Sequence, residues 1–574
     1  MFRFFLVLKS MKFVDLPYNR PDVIEVSKRL TKLINRLHNA SSTDDLLKSM
    51  EEIRAVRSEF DTLRTLASIR HSINTKDNFY DEENKYFDSV SPDYASVIND
   101  YYQALVKSTY KVDLEKKYGI HFLNLAELTV ETFKPEIIDL LKEENQLSSK
   151  YNVLIAQLKI KIGDEEYSLS NISPVLTSPK REVRKEGAEA LYSGLEENQL
   201  ELDNLYHDLV QVRHKMALEL GFENYVELGY KKLNRTDYNA EDVSIYRDAI
   251  HEYVVPVVEK LKIRQKKRLG LNTLKYFDAP FKFNSGNAKP KGGPEWIIEN
   301  GKKMYKELSP ETNDFFKFML SNGLADLESK EGKMAGGYCT FISKYGYPFI
   351  FSNFNGTSHD IDVLTHEAGH AFQVYRSREL PIEEYYWPTL EACEIHSMSM
   401  EFFTYPWMES FFKEDEEKYK FSHLSGSLSF LPYGAAIDEF QHFVYENPLI
   451  SIEERNQGWL SIEAKYGLTG DKDGNSYLES GRVWQRQMHL YCAPFYYIDY
   501  TLAQVCAFQF WKRSQEDFKA AWSDYLKLCD LGGSKPFTEL VELAGLKQPF
   551  VKENLRDVIE MIDTYLEGID DEKM

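Results

Sequence analysis

Residues 363–373 read "VLTHEAGHAFQ", and the spacing of polar groups in this stretch decides how the chain is interpreted. His366 and His370 lie four residues apart in an apolar, helix-forming run. At about 3.6 residues per turn they share one face, one turn apart, close enough to bind a single tetrahedral metal ion. Glu367 lies about 100° around the helix, where it can reach a metal-activated water without being a ligand. The alternative is a core helix on which two histidines simply pack.

A metal site of this kind needs a third ligand, because catalytic zinc usually takes three protein ligands and leaves one position open. A second predicted helix, "PTLEACEIHSMSMEFF" (388–403), follows within about thirty residues and offers four candidates. Spacing alone does not choose among them: Glu391, Glu394, His396 and Glu401. Gly369, between the two histidines, predicts a point where another backbone approaches the first helix closely.

The composition predicts a globular protein of two or three domains, since 574 residues with 43% apolar side chains supply a full core. A formal net charge of −21 argues against nucleic acid as a partner. Five cysteines without a C-x-x-C pair predict reduced thiols and a cytoplasmic location. The apolar run near the N-terminus, about residues 2–8, is too short to span a membrane, and no longer run follows it.

Helical periodicity with few glycines dominates residues 20–146, and long helices are also predicted from Ser178 to Gly221 and over 240–270, where Pro256 introduces a kink. An alternating stretch at 157–172 predicts a β-hairpin. Two aromatic runs, 334–342 and 345–357, predict strands of a small sheet, and the segment "PFIFSNFNG" (348–356) is a candidate for binding an extended peptide by edge pairing. The expected fold is mainly α in two lobes, residues 1–185 and residues 186–574.

Three stretches taken together resemble the thimet oligopeptidase and oligoendopeptidase F family of zinc metallopeptidases, in particular its oligoendopeptidase F branch. They are "HEAGHAF" (366–372), "EACEIHSMSMEFF" (391–403) and "RQMHLYCAPFYYIDYTLAQ" (486–504). The first motif is shared by many zinc peptidases, whereas its combination with the downstream acid and the Tyr-x-x-Tyr step is specific to this family. The motifs cover about the last 240 residues.

The resemblance implies a two-lobed helical shell around a deep cleft, with the small sheet beside the metal-binding helix, and an endopeptidase that cuts short peptides with one Zn²⁺ per chain. It implies Glu394 as the third ligand, after His366 and His370, with Glu367 as general base. It also implies that three further side chains bind the substrate and stabilise the oxyanion: His489, Tyr497 and Tyr500.

Two other functions stay open at this point. A zinc carboxypeptidase on a similar shell would need a cation for the substrate's terminal carboxylate, and Arg482 or Arg486 can supply it. A non-catalytic peptide-binding protein would have histidines that only pack, but it would have no need of Glu367.

Overall fold

The computed structural model describes residues 11–169 and 171–574, so the N-terminal apolar run lies outside the described residues. These residues are mainly α-helical, with one sheet of two strands and one of three, which confirms the predicted fold class. Among them, no helix is both long enough and apolar enough to cross a membrane.

The first part of the chain is built from six helices: α1 (Val23–His38), α2 (Thr43–Ile73), α3 (Asn78–Val106), α4 (Lys111–Tyr118), α5 (Ile120–Glu131) and α6 (Ile138–Ala156). Asp22, Ser42 and Asp77 begin the first three, because their side-chain oxygens accept hydrogen bonds from first-turn N–H groups. Helices α1 to α5 share an apolar core that also takes up Ile382 and Tyr385. The N-terminal helices are therefore anchored to a segment of the second half of the chain.

The predicted β-hairpin is confirmed as the antiparallel strands β1 (Ile160–Ile162) and β2 (Glu165–Tyr167). After it come α7 (Ser173–Leu176), α8 (Arg181–Leu220) and α9 (Tyr225–Lys232). Helix α8 ends as predicted at Gly221, whose φ of +93° suits glycine. Because α8 runs unbroken across residues 185 and 186, no loop separates the two predicted lobes there, and that division stays a prediction.

The helix predicted over 240–270 is interrupted. It consists of α10 (Ala240–Ala249), a π-helical turn (Ile250–Val254) and α11 (Val255–Arg268). The wider turn lies directly before Pro256, whose ring has no N–H to donate and crowds the carbonyl one turn back. Two further helices, α12 (Pro294–Leu308) and α13 (Pro310–Asn322), lead to the sheet.

The second sheet has three strands in the order β3-β5-β4: β3 (Ala325–Glu328), β4 (Tyr338–Ile342) and β5 (Tyr347–Phe354). β5 pairs in parallel with β3 and antiparallel with β4, with Cys339 opposite Ile350. The prediction that the segment 348–356 presents a free edge is therefore wrong, because β3, a short strand that the sequence analysis missed, occupies its other side. Among the described residues, β4 is the edge strand nearest the helix that follows.

Helix α14 (His359–Ser377) packs on β5 and β4, and α15 (Leu390–Phe403) packs between α14 and α21. The remaining helices surround this layer: α16 (Met408–Phe412), α17 (Glu416–Glu446), α18 (Ile452–Lys465), α19 (Ser476–Glu479), α20 (Met488–Cys492), α21 (Tyr497–Glu516), α22 (Phe518–Leu531), α23 (Phe537–Leu543) and α24 (Lys552–Glu567). The two predicted metal-binding stretches thus lie on adjacent, buried helices.

Candidate metal centre

Helix α14 places His366 and His370 one turn apart, and α15 brings Glu394 to them. One carboxylate oxygen, Oε2 of Glu394, lies 3.2 Å from Nε2 of His366 and 3.3 Å from Nε2 of His370. One ligand atom from each side chain lies within 4.8 Å of the others. Two imidazole nitrogens and a carboxylate oxygen form a donor set that suits zinc and leaves a fourth position open. The residues therefore fit a metal ion.

Glu394 is held in place by two hydroxyl groups. Ser397 donates to its Oε2 at 2.9 Å, and Tyr496 donates to its Oε1 at 2.5 Å. Burial acts to raise the pKa of Glu394, but the charges and hydrogen bonds of His370 and His366 outweigh it and hold the pKa well below its usual range. Glu394 is therefore ionised, as a metal ligand must be.

The two helices can approach this closely only because residue 369 is glycine. A Cβ atom built at Gly369 would lie 2.6 Å from Cα of Ser397 and 2.7 Å from the carbonyl oxygen of His396. Both contacts are with backbone atoms, which have no rotamer to change. The structure confirms the close approach that the sequence predicted at Gly369.

Glu401 lies behind the cluster and orients His366. Its Oε1 is 2.6 Å from Nδ1 of His366, and its Oε2 is 2.7 Å from Nε2 of His423. Burial would raise the pKa of Glu401, but these hydrogen bonds lower it to about 2. With Nδ1–H donated to Glu401, Nε2 is the nitrogen that His366 would present to a metal ion.

The other two candidates for the third ligand lie elsewhere. Glu391 is fully buried near Arg235 and Asp499. Nδ1 of His396 lies 2.7 Å from the carbonyl oxygen of Ala392 in the same helix. Of the three acids and one histidine that spacing left open on α15, the structure brings only Glu394 to both histidines of α14.

Glu367 is buried beside the cluster with only 7% of its surface exposed, and its Oε2 has no hydrogen-bond partner among the described residues. Burial is the main cause that raises its pKa, while the neighbouring imidazoles act to lower it. A carboxylate without a partner and with a raised pKa is suited to accepting and releasing a proton.

His489 lies near this cluster in a half-buried position. Its Nδ1 accepts a hydrogen bond from the Gln487 amide at 2.7 Å, so the proton is on Nε2, which lies 3.3 Å from the Tyr500 hydroxyl. Burial lowers the pKa of His489 to about 4, and the ring is therefore neutral near pH 7. A neutral imidazole in this tautomer donates from Nε2.

The tyrosines of the 486–504 segment face different neighbours. Tyr500 lies beside Tyr496, which donates to Glu394. The ring of Tyr497 packs on His489 and Tyr433, with centroids 4.8 and 5.8 Å apart, and its hydroxyl makes no hydrogen bond within the described residues. The structure thus brings His489 and Tyr500 together and adds Tyr496, to which the sequence analysis gave no role.

Sequence reasoning also gave no role to His423. No local pattern connects α17 with Glu401, so this contact arises only from tertiary packing. A signal for Tyr496 was present, because Tyr496 and Tyr500 are four residues apart and therefore share one helix face. Of the two candidate arginines, Arg482 forms an ion pair with Asp203 at 2.8 Å, whereas Arg486 pairs with no described carboxylate.

Two family models, several relatives and several solved structures match this chain. The model of peptidase family M3 matches residues 175–558, and that of the peptidase M3 N-terminal domain matches residues 13–133. An oligoendopeptidase F homolog of Borreliella burgdorferi is 26% identical over 69% of this chain and 66% of its own length, and one of Lactococcus lactis subsp. lactis is 22% identical over 89% and 87%. The solved structure of PZ peptidase A with an inhibitor is 52% identical, with a TM-score of 0.96 over 98% of this chain and all of that one.

Proposed function

Because this chain belongs to peptidase family M3, we propose that it is a zinc-dependent endopeptidase that hydrolyses internal bonds of short peptides. The observation that carries the proposal is the convergence of His366, His370 and Glu394 beside Glu367, a buried carboxylate with an unpartnered oxygen. The names of the relatives, oligoendopeptidase F homologs, support internal cleavage of oligopeptides. The five cysteines of this chain are unpaired, which supports a cytoplasmic location.

In the proposed site, His366, His370 and Glu394 would hold the zinc ion, and Glu401, which accepts from Nδ1 of His366, leaves Nε2 of that ring to face the ion. A zinc ion on these ligands would supply the Lewis acidity that makes water a nucleophile at neutral pH and polarises the scissile carbonyl. Glu367 takes a proton from the attacking water and passes it to the leaving nitrogen.

The oxyanion that develops on the carbonyl needs hydrogen-bond donors, and the chain offers them next to the cluster. Nε2 of His489 carries the single proton of the neutral ring, because the Gln487 amide donates to Nδ1. Burial raises the pKa of Tyr500, so its hydroxyl is also protonated near pH 7. Loss of one such donor typically costs about 3–4 kcal/mol of transition-state stabilisation. We assign a supporting role to Tyr497, whose ring packs on His489.

The test compares the wild type with Glu367→Gln, and uses Glu409→Gln, an exposed acid on α16, as the control. Each protein is assayed for bound zinc and for cleavage of an internally quenched peptide blocked at both ends. We expect about one zinc per chain in all three and cleavage by the wild type and the control only. Equal cleavage by Glu367→Gln would contradict the proposed role of that carboxylate.

One observation favours a second candidate, a zinc carboxypeptidase. Arg486 has no acidic partner among the described residues and can receive a terminal carboxylate, whereas Arg482 is already paired with Asp203. The doubly blocked peptide separates the two enzymes, because a carboxypeptidase requires a free C-terminus. A non-catalytic peptide-binding protein would purify without stoichiometric zinc.

A further inference from the structure

Arg486 lies at the end of the short 3-10 helix Val483–Arg486, three residues before His489, and its side chain is exposed. Its guanidinium has no carboxylate oxygen within ion-pair distance in the part of the chain that the structure describes. Its contact is with a hydroxyl: Nη1 lies 3.3 Å from the Tyr192 oxygen. The charge of Arg486 is therefore left without a partner of opposite sign.

Two acids near this position are paired with other cations. Arg486 lies near Tyr192, Tyr433 and Tyr477. Glu463 is an acidic neighbour of Tyr433, and Asp203 is one of Tyr477. Asp203 accepts from Arg482 at 2.8 Å and also from Gln485, whereas Glu463 pairs with Lys472 at 2.8 Å. Arg486 therefore keeps an exposed positive charge without an acidic partner in a chain whose net charge is −21.

The backbone around Arg486 is fixed by its buried neighbours. The Gln485 amide donates to the carbonyl of Gln199 at 2.9 Å, and Trp484 donates to Asn456 at 3.1 Å. On the other side, Gln487 donates to His489 and accepts from the Tyr433 hydroxyl at 3.1 Å. A group bound to Arg486 would therefore lie in a defined position relative to His489, which the proposed mechanism aims at the scissile carbonyl.

We propose that Arg486 binds a carboxylate of the peptide substrate and so determines which peptides are cut. The carboxylate belongs either to an aspartate or glutamate side chain or to the C-terminus of the peptide. The planar guanidinium fork binds both oxygens of a carboxylate, and the Tyr192 hydroxyl, which accepts from Arg486, can donate its own proton as well. The inference rests on the proposed peptidase function and adds a specificity-determining residue to it, not a catalytic one.

The experiment uses one neutral quenched peptide and derivatives that differ by a single group. One arm replaces Gln by Glu at each of three positions on either side of the cleaved bond, and the other compares a free C-terminus with an amide. The proteins are the wild type, Arg486→Gln, Arg486→Lys and Arg29→Gln. Arg29 is an exposed arginine on α1, and its loss controls for the change in net charge.

We expect the wild type to prefer the charged peptide in at least one arm by about 10-fold in kcat/KM, mainly through KM. Arg486→Gln should lower this ratio to about 1 while cleaving the neutral peptide like the wild type, and Arg486→Lys should keep part of it, since lysine retains the charge without the fork. The arm that responds identifies the source of the carboxylate.

The absence of a preference in the wild type, or a preference that survives in Arg486→Gln, would overturn the inference. Should the neutral peptide not be cut by the wild type, the proposed function fails instead. The Kd values of the same peptides for the intact protein, measured by calorimetry, then decide the role of Arg486 without any cleavage.

Discussion

Replacing Gly369 by alanine tests whether the contact between α14 and α15 builds the metal centre. The added methyl carbon would lie 2.6 Å from Cα of Ser397, where ordinary contact begins at 3.4 Å, so the two helices must separate by about 0.8 Å. Overpacking of this kind costs about 1–3 kcal/mol, against a gain of at most about 1 kcal/mol in helix propensity. We expect a net destabilisation of about 1–2 kcal/mol.

The effect on the metal should exceed the effect on stability. Ser397, whose backbone must move, donates to Glu394, and residue 369 itself lies between His366 and His370. Since ligand distances in a zinc site tolerate only about 0.2 Å, a separation of several tenths of an ångström should weaken zinc binding by about 10–100-fold.

The assay is competition for zinc with a chelator, together with the thermal midpoint of the zinc-free protein. Gly426→Ala is the matched control, because a Cβ at this exposed helical glycine of α17 meets no atom within 4 Å. We expect the control to keep its zinc affinity and to become slightly more stable. If Gly369→Ala binds zinc as tightly as the wild type, the argument that glycine is required for the approach of the helices is wrong.

Two further predictions concern charged and titratable groups. Glu401→Gln should weaken zinc binding by about 10–100-fold in the same chelator assay, because His366 loses its charged acceptor; an unchanged affinity would contradict this. His121 on α5 is buried, which lowers its pKa to about 4 from 6.5. Because the folded protein favours the neutral ring, this contribution to stability is complete above pH 6.5 and is lost as the pH falls toward 4. The urea midpoint of His121→Phe should therefore fall less between pH 6.5 and 4 than that of the wild type.

Local patterns were sufficient to predict most of the helices. The 3.6-residue periodicity predicted α2 and α8, and the alternation at 157–172 predicted the hairpin, because each element is specified by residues near one another in sequence. Local patterns failed at β3, whose four residues are too short for a periodic signal. That omission led to the wrong expectation that β5, the neighbour of β3 in the sheet, has a free edge.

The sequence by itself determined the chemistry that this chain can offer. His366, Glu367 and His370 are placed on one helix by their spacing alone, since a helix of 3.6 residues per turn leaves them no other arrangement. Gly369 also predicted that the backbone of another segment lies close to this helix.

Only the tertiary structure decided which distant groups meet these three. It brought Glu394 rather than Glu391 to the histidines and placed Glu401 and His423 behind His366. It also left Arg486 without a carboxylate partner among the described residues. Helix periodicity is set by hydrogen bonds four residues apart, whereas the position of one helix against another depends on the packing of many side chains across the core. That packing is not recorded in any short stretch of sequence.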